Sequence, residues 1–179
     1  MDLGLLGVTA KGVCYAKPRT DAGRLKEMEM SSDQPPWEGG CRCGKVRFRL
    51  NAPPLLTMAC HCRGCQRMTG GPFSLSVAEP ADAFEVLAGE PVIAGLHGST
   101  HHYFCGWCMS WLFTRPEGID SLVNVRTTML DEPASFPPFI ETFTREKLPW
   151  ASTPAKHSYS EFPPMSAYDA LMREFRGGR

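Results

Sequence analysis

No run of apolar residues in this chain approaches the ~20 that a bilayer-spanning helix needs, and neither sign of charge dominates, with 19 Lys and Arg set against 19 Asp and Glu. The first absence removes membrane-spanning helices. The second removes any bulk electrostatic pull toward nucleic acid, anionic lipid or a polycationic partner, so a ligand must be met at a site. A basic leader is missing too: the mildly apolar stretch Leu3 to Ala10 follows Asp2 and reaches no small-residue cleavage site, so secretion is not expected and the expected location is the cytoplasm. Long windows free of helix breakers are scarce, because 16 prolines and 17 glycines are spread over the 179 residues. Short strands and turns are expected in their place. The length and the 42% hydrophobic content suit one ordinary globular domain.

Residues 1–36 read as a poorly structured leader of small residues, mixed charge and a Ser-Ser-Asp-Gln-Pro-Pro tail, and Met28 and Met30 leave open a start placed too early. From Trp37 the pattern changes. Val46, Phe48 and Leu50 alternate with Lys45, Arg47 and Arg49, a period of two that puts three apolar side chains on one face and three cations on the other. Further short strands are expected at Leu55–Ala59, Phe73–Val77, Phe84–Leu87, Tyr103–Phe104, Trp111–Phe113, Leu122–Val125 and Ile140–Phe143, in a mostly antiparallel arrangement. One helix is expected late, where Ala167, Ala170, Leu171 and Phe175 recur at helical spacing before Gly177-Gly178. The chain thus divides into a leader, a domain over 37–150 and an extension over 151–179 that carries the helix.

Eight cysteines are present, and seven fall into three tight clusters: Cys41-x-Cys43, Cys60-x-Cys62-x-x-Cys65 and Cys105-x-x-Cys108. Such spacing suits metal thiolates in a reducing compartment better than disulfides. A structural zinc takes four ligands in a closed tetrahedron, whereas a catalytic zinc has three protein ligands and one open position. Seven thiolates fill one site of each kind. The expected partition joins Cys41, Cys43, Cys105 and Cys108, and leaves Cys60, Cys62 and Cys65 to hold a second zinc alone. Two alternatives stay open: four buried thiols that merely pack, and a second closed site completed by Cys14, His61 or a distant histidine. Gly40, Gly44 and Gly106 supply turn freedom beside the cysteines. His61, between two ligands, is expected to point away from the metal, and His97, His101, His102 and His157 read as surface or strand residues.

The strings Gly39-Gly40-Cys41-Arg42-Cys43-Gly44-Lys45-Val46-Arg47-Phe48, Cys60-His61-Cys62-Arg63-Gly64-Cys65-Gln66-Arg67 with Thr69-Gly70-Gly71-Pro72-Phe73, and Tyr103-Phe104-Cys105-Gly106-Trp107-Cys108 resemble three motifs of one family. This is the glutathione-dependent formaldehyde-activating enzyme family, which includes the centromere-protein-V-like proteins. The resemblance covers roughly residues 37–150 and includes Lys147-Leu148-Pro149-Trp150. It implies an all-β, β-tent fold of packed antiparallel sheets with zinc knuckles and two Zn2+ per chain. It also implies a carbon–sulfur lyase activity run in reverse, joining glutathione to formaldehyde as S-hydroxymethylglutathione. By motif, Cys41, Cys43, Cys105 and Cys108 match the structural zinc, and Cys60, Cys62 and Cys65 the catalytic one. Family members usually carry glycine after the last cysteine, where this chain has Met109; the turn there is expected to differ.

A zinc-held thiol is deprotonated and so becomes a nucleophile at neutral pH. By position, Thr69, Gln66 and the amides around Gly70-Gly71 are candidate donors to the developing alkoxide. Arg63 and Arg67 are placed to pair with glutathione carboxylates, or else form a solvated basic loop. A second reading makes the domain a non-catalytic module, with both zincs structural and Arg42, Lys45, Arg47 and Arg49 presenting a cationic face to protein or nucleic acid. Neutral net charge argues against nucleic acid.

Overall fold

The protein is seen in a computed structural model that describes residues 34–95 and 98–178. Nearly all of the expected leader, with Cys14, and also His97, lie outside the described residues. In chain order the strands are β1 (Trp37–Gly40), β2 (Arg47–Leu50), β3 (Leu56–Cys60), β4 (Ser74–Pro80), β5 (Phe84–Ala88), β6 (Pro91–Ile93), β7 (His101–Cys105), β8 (Trp111–Arg115), β9 (Leu122–Arg126), β10 (Ile140–Thr142) and β11 (His157–Ser158). Helix α1 (Arg63–Thr69) follows β3, and helix α2 (Tyr168–Gly177) ends the chain.

Two sheets result, one ordered β1-β2-β5 and one ordered β11-β10-β3-β4-β9-β8-β7-β6. Pairing is antiparallel except around β10, which runs parallel to both β3 and β11. The larger sheet therefore recruits residues of the C-terminal extension through β11. Between the sheets lies the main core, where Trp37, Val46, Phe48, Leu50 and Phe84 meet Val77, Leu112, Phe113, Val123 and Val125. At ~1.5–3 kcal/mol for each large apolar side chain, this interface is the principal source of stability. A second cluster joins Leu56, Ala78 and Ile140 to Leu171 and Phe175 of α2. Among the described residues no helix is long and apolar enough to cross a membrane.

The alternation expected in β2 is realised, with Phe48 and Leu50 fully buried. Its cations, however, do not form a free positive face. Arg47 donates to both Asp131 oxygens at 2.8 and 2.6 Å and to Glu38 at 3.3 Å. Arg49 donates twice to Glu38, at 3.1 and 2.7 Å. Two of the four cations that a docking module would need are thus neutralised in place.

Four elements differ from the sequence expectation. Strand β1 contains Gly39-Gly40, a poor strand sequence, but a side chain at Gly39 would collide with the Met129 carbonyl and the Phe48 ring. The close approach of those groups, rather than propensity, dictates glycine. Strands β6 and β11 are only three and two residues long and exist through their pairing partners. Helix α1 occupies what reads as a loop, so the late helix has a short companion.

Candidate metal centres

The Cys41–Cys43 turn caps the β1–β2 hairpin, while Cys105 ends β7 and Cys108 lies in the turn that joins it to β8. These two tips belong to different sheets and meet at their sulfurs. All four Sγ atoms lie within 4.8 Å of one another, with Cys41–Cys43 at 3.4 Å and Cys43–Cys105 at 3.7 Å. A zinc tetrahedron with ~2.3 Å Zn–S bonds has edges of ~3.8 Å, so the donor set fits that ion. Each knuckle also has a polar group against a sulfur. The Val46 amide donates to Cys41 Sγ at 3.2 Å, and Ser110 Oγ accepts from the Arg42 amide while lying 3.2 Å from Cys108 Sγ.

Of the three glycines beside these cysteines, only Gly44 adopts the left-handed region, at φ 75°. In the other knuckle that conformation falls on Met109, at φ 55°, whose amide closes the turn on Cys105 O at 3.0 Å. The turn keeps a left-handed residue here without having glycine to fill it. Met109 is 57% exposed, so its side chain contributes little packing. Met109→Gly is expected to relieve about 1 kcal/mol of backbone strain and raise the melting temperature by a few degrees; an unchanged or lower melting temperature would contradict that strain.

The second group is built on the end of β3 and the start of α1. Cys60 ends the strand, Cys62 caps the helix by accepting from the Cys65 amide at 3.4 Å, and Cys65 sits in the first turn. Their sulfurs lie within 4.8 Å of one another, and among the described residues no histidine or carboxylate joins them. The crowding redistributes protons. Hydrogen bonds from Cys60 and then Cys65 draw the Cys62 thiol down to about 2, while those with Cys60 and Cys62 push Cys65 up. Three sulfurs this close cannot all ionise unless a cation sits among them, and a thiophilic divalent ion suits the set.

His61 faces away from the sulfurs. It is fully buried, its ring edge-on to Phe73, and its Nε2 lies 3.0 Å from Glu141 Oε2. Glu141 also accepts from Lys147 Nζ at 2.8 and 3.0 Å, Thr153 Oγ1 at 2.8 Å and Ser158 Oγ at 2.6 Å. Burial pushes its carboxyl up, but the hydrogen bonds from Lys147, Ser158, Thr153 and His61 outweigh that and hold it down at about 2. Lys147 thereby gains a physical role: it fixes the carboxylate that anchors the residue between two cysteines. The same segment steadies α1, because Glu146 Oε2 accepts from the Arg63 amide at 2.6 Å and Gln66 Nε2 donates to the His61 and Glu146 carbonyls at 2.6 and 3.0 Å.

The candidate substrate residues sit on α1 but in unequal situations. Arg63 and Arg67 are exposed, and Arg63 makes one side-chain contact, to Gln66 Oε1 at 3.2 Å. Thr69 spends its hydroxyl on the helix end, donating to Cys65 O at 2.8 Å and accepting from the Gly71 amide at 3.2 Å. Gln66 is engaged as described.

Sequence reasoning missed a polar wall on the larger sheet. Ser74 is the cross-strand partner of Cys60, and Arg126 that of Ser76. Arg126 lies over the Trp111 ring, 4.1 Å from its centroid, and Trp111 is edge-on to His102. His102 pairs through Nδ1 with Thr114 Oγ1 at 2.9 Å, and burial first, then the charge of Arg126, lowers its pKa. That direction favours the neutral imidazole at neutral pH.

A family model for the glutathione-dependent formaldehyde-activating enzyme matches residues 36–146, a stretch that contains both cysteine groups. The chain belongs to that family. A curated relative from Halomonas elongata, provisionally named a glutathione-dependent formaldehyde-activating enzyme, is 30% identical over 109 residues, covering 56% of this chain and 69% of its own length. A crystal structure of a Rhodobacter sphaeroides protein is similar at a TM-score of 0.44 and 18% identity, over 52% of this chain and 87% of that one.

Proposed function

We propose that this formaldehyde-activating family member joins a thiol such as glutathione to a small aldehyde such as formaldehyde at Cys60, Cys62 and Cys65, a lyase-class reaction run in the direction of carbon–sulfur bond formation. The observation that carries this reading is a gathered set of three sulfurs without a fourth protein ligand among the described residues. Held by Cys60, Cys62 and Cys65, a zinc ion would supply one open position and the acidifying charge that an exogenous thiol needs to ionise. The four-cysteine group serves as a structural staple between the tips of two hairpins, and the reaction proceeds in the cytoplasm.

The proton balance is closed. Sulfur attacks the carbonyl carbon, the C=O π pair moves to oxygen, and the proton lost by the thiol ends on the alkoxide. His102 is the residue best suited to carry it: in the tautomer that donates Nδ1–H to Thr114, its neutral Nε2 accepts the proton and returns it. Arg63 and Arg67, exposed on α1, pair with the carboxylates of glutathione. Thr69 and Gln66 instead hold the helix in shape, since their polar atoms are already engaged.

The test is exchange spectroscopy on glutathione and formaldehyde mixtures. The wild-type chain is expected to speed exchange with the hydroxymethyl adduct, and Cys62→Ser to return it to the spontaneous rate. Equal rates with and without wild-type protein, while glutathione still binds, would remove formaldehyde as the partner and leave a thiol-binding zinc site.

A further inference from the structure

One buried cation is left over by both centres. Arg126 is 7% exposed, and among the described residues no carboxylate pairs with it. Its Nη1 donates to Ser74 Oγ at 3.3 Å and its Nη2 to the Asn124 carbonyl at 3.1 Å, while Nε has no partner. Two neutral oxygens and the Trp111 face do not offset the burial of a full charge, which is costly unless an anion answers it. Burial pulls its pKa down to about 10, which still leaves it protonated at neutral pH.

The connection to the three-sulfur group is geometric. Ser74, which accepts from Arg126, stands opposite Cys60 across β3 and β4, so its side chain shares a sheet face with that cysteine. Register therefore sets the guanidinium, the serine and Cys60 of the three-sulfur group along one face of the larger sheet. Outer hydrogen bonds of this kind orient ligands and tune the charge they bear. Three thiolates around a divalent ion carry one net negative charge, and a fourth thiolate makes it two, whereas water adds none. The demand for a nearby cation rises only when the fourth ligand is anionic.

We propose that Arg126, acting through Ser74, is a positioning residue that balances the charge of the three-cysteine centre and favours an anionic sulfur over water as its fourth ligand. This rests on the functional reading above and names what that site selects: the charge on sulfur, ahead of the remainder of the thiol. Arg63 and Arg67 are then left to distinguish glutathione from smaller thiols.

The experiment uses the zinc-loaded full chain as wild type, Arg126→Gln, Arg126→Lys and Ser74→Ala. Titration calorimetry gives the affinity for glutathione and for uncharged 2-mercaptoethanol, and competition with EDTA gives the retention of the second zinc. Thermal melts confirm that each variant is folded. Arg126→Gln is expected to weaken both thiols about tenfold, the shift that one nearby opposite charge produces, and to yield one zinc at about tenfold lower EDTA. Arg126→Lys recovers most of the loss, and Ser74→Ala loses part in the same direction. Weakening of glutathione alone would overturn the proposal, because the arginine would then be reading a carboxylate. Unchanged thiol affinity and zinc retention in a folded Arg126→Gln would overturn it as well. Wild-type protein that binds neither thiol defeats the functional reading instead, and the EDTA comparison then decides Arg126 alone: equal retention overturns it.

Discussion

Cys41→Ser and Cys108→Ser are expected to abolish cooperative folding, whereas Cys62→Ser leaves a folded domain one metal short. The difference follows from what each group joins. The four-cysteine set ties the tip of β1–β2 to the tip of β7–β8, and these hairpins belong to different sheets. Zinc binding at such sites contributes about 10–16 kcal/mol to folding, comparable with or above the ~5–15 kcal/mol net stability of a domain. The three-cysteine loop has independent supports: the Glu141 hydrogen bonds to His61 and Lys147, the Glu146 contact at the start of α1, and the Cys65–Thr69 bond at its end. Circular dichroism, thermal melts and metal content on the three variants check this. Equal collapse of all three would make the second group structural.

Glu79→Gln is expected to stabilise the protein strongly at pH 8 and hardly at all at pH 5. Glu79 lies in β4 with no exposed surface; Oε1 accepts from the Ala52 amide at 3.1 Å and Oε2 has no partner. Burial raises its pKa from the ordinary 4.5 to about 8, the Ala52 bond opposes that, and the charge of Asp82 adds to it. Between those two values the native state holds a proton that the unfolded chain releases. Stability therefore falls as pH rises through this window, by roughly 4 kcal/mol at its upper end. Glutamine keeps the Ala52 bond and cannot ionise, so the slope disappears. Melting temperatures at pH 5 and pH 8 measure it, and an equal gain at both would show that Glu79 does not titrate in the fold.

Much of the fold was legible because its physics is local. Alternation around Phe48 and Leu50, and again around Val123 and Val125, marks strands with one buried face, and the late apolar spacing marks α2. What stayed hidden depends on partners. Strand β11 exists because Ile140 and Glu141 pair with His157 and Ser158. Helix α1 contains Gly64 and is one to two turns long; it is held by the Cys62 cap, the Glu146 carboxylate and left-handed Gly70 at φ 63°. Each cysteine cluster could be read from spacing, since C-x-C and C-x-x-C turns bring neighbouring sulfurs together, whereas joining Cys41 and Cys43 to Cys105 and Cys108 followed from the ligand count and depends on two hairpin tips meeting. Arg126 and His102 could not. The polar residues Asn124 and Arg126 alternate with Val123 and Val125, which shows a polar face on β9, but only the register through β4 to β3 puts that face beside Cys60.

Zinc-edge X-ray absorption of the two-zinc protein, before and after glutathione, tests the open site most directly. With one closed four-sulfur site and one three-sulfur site, the mean is expected to be about three and a half sulfurs per zinc, with a lighter ligand making up the remainder. Glutathione should raise the mean to about four and remove the lighter ligand, while S-methylglutathione, which has no thiol to ionise, should leave it unchanged. A mean of four sulfurs before any thiol is added, or a light-atom ligand that persists at saturating glutathione, would contradict an exchangeable position at Cys60, Cys62 and Cys65.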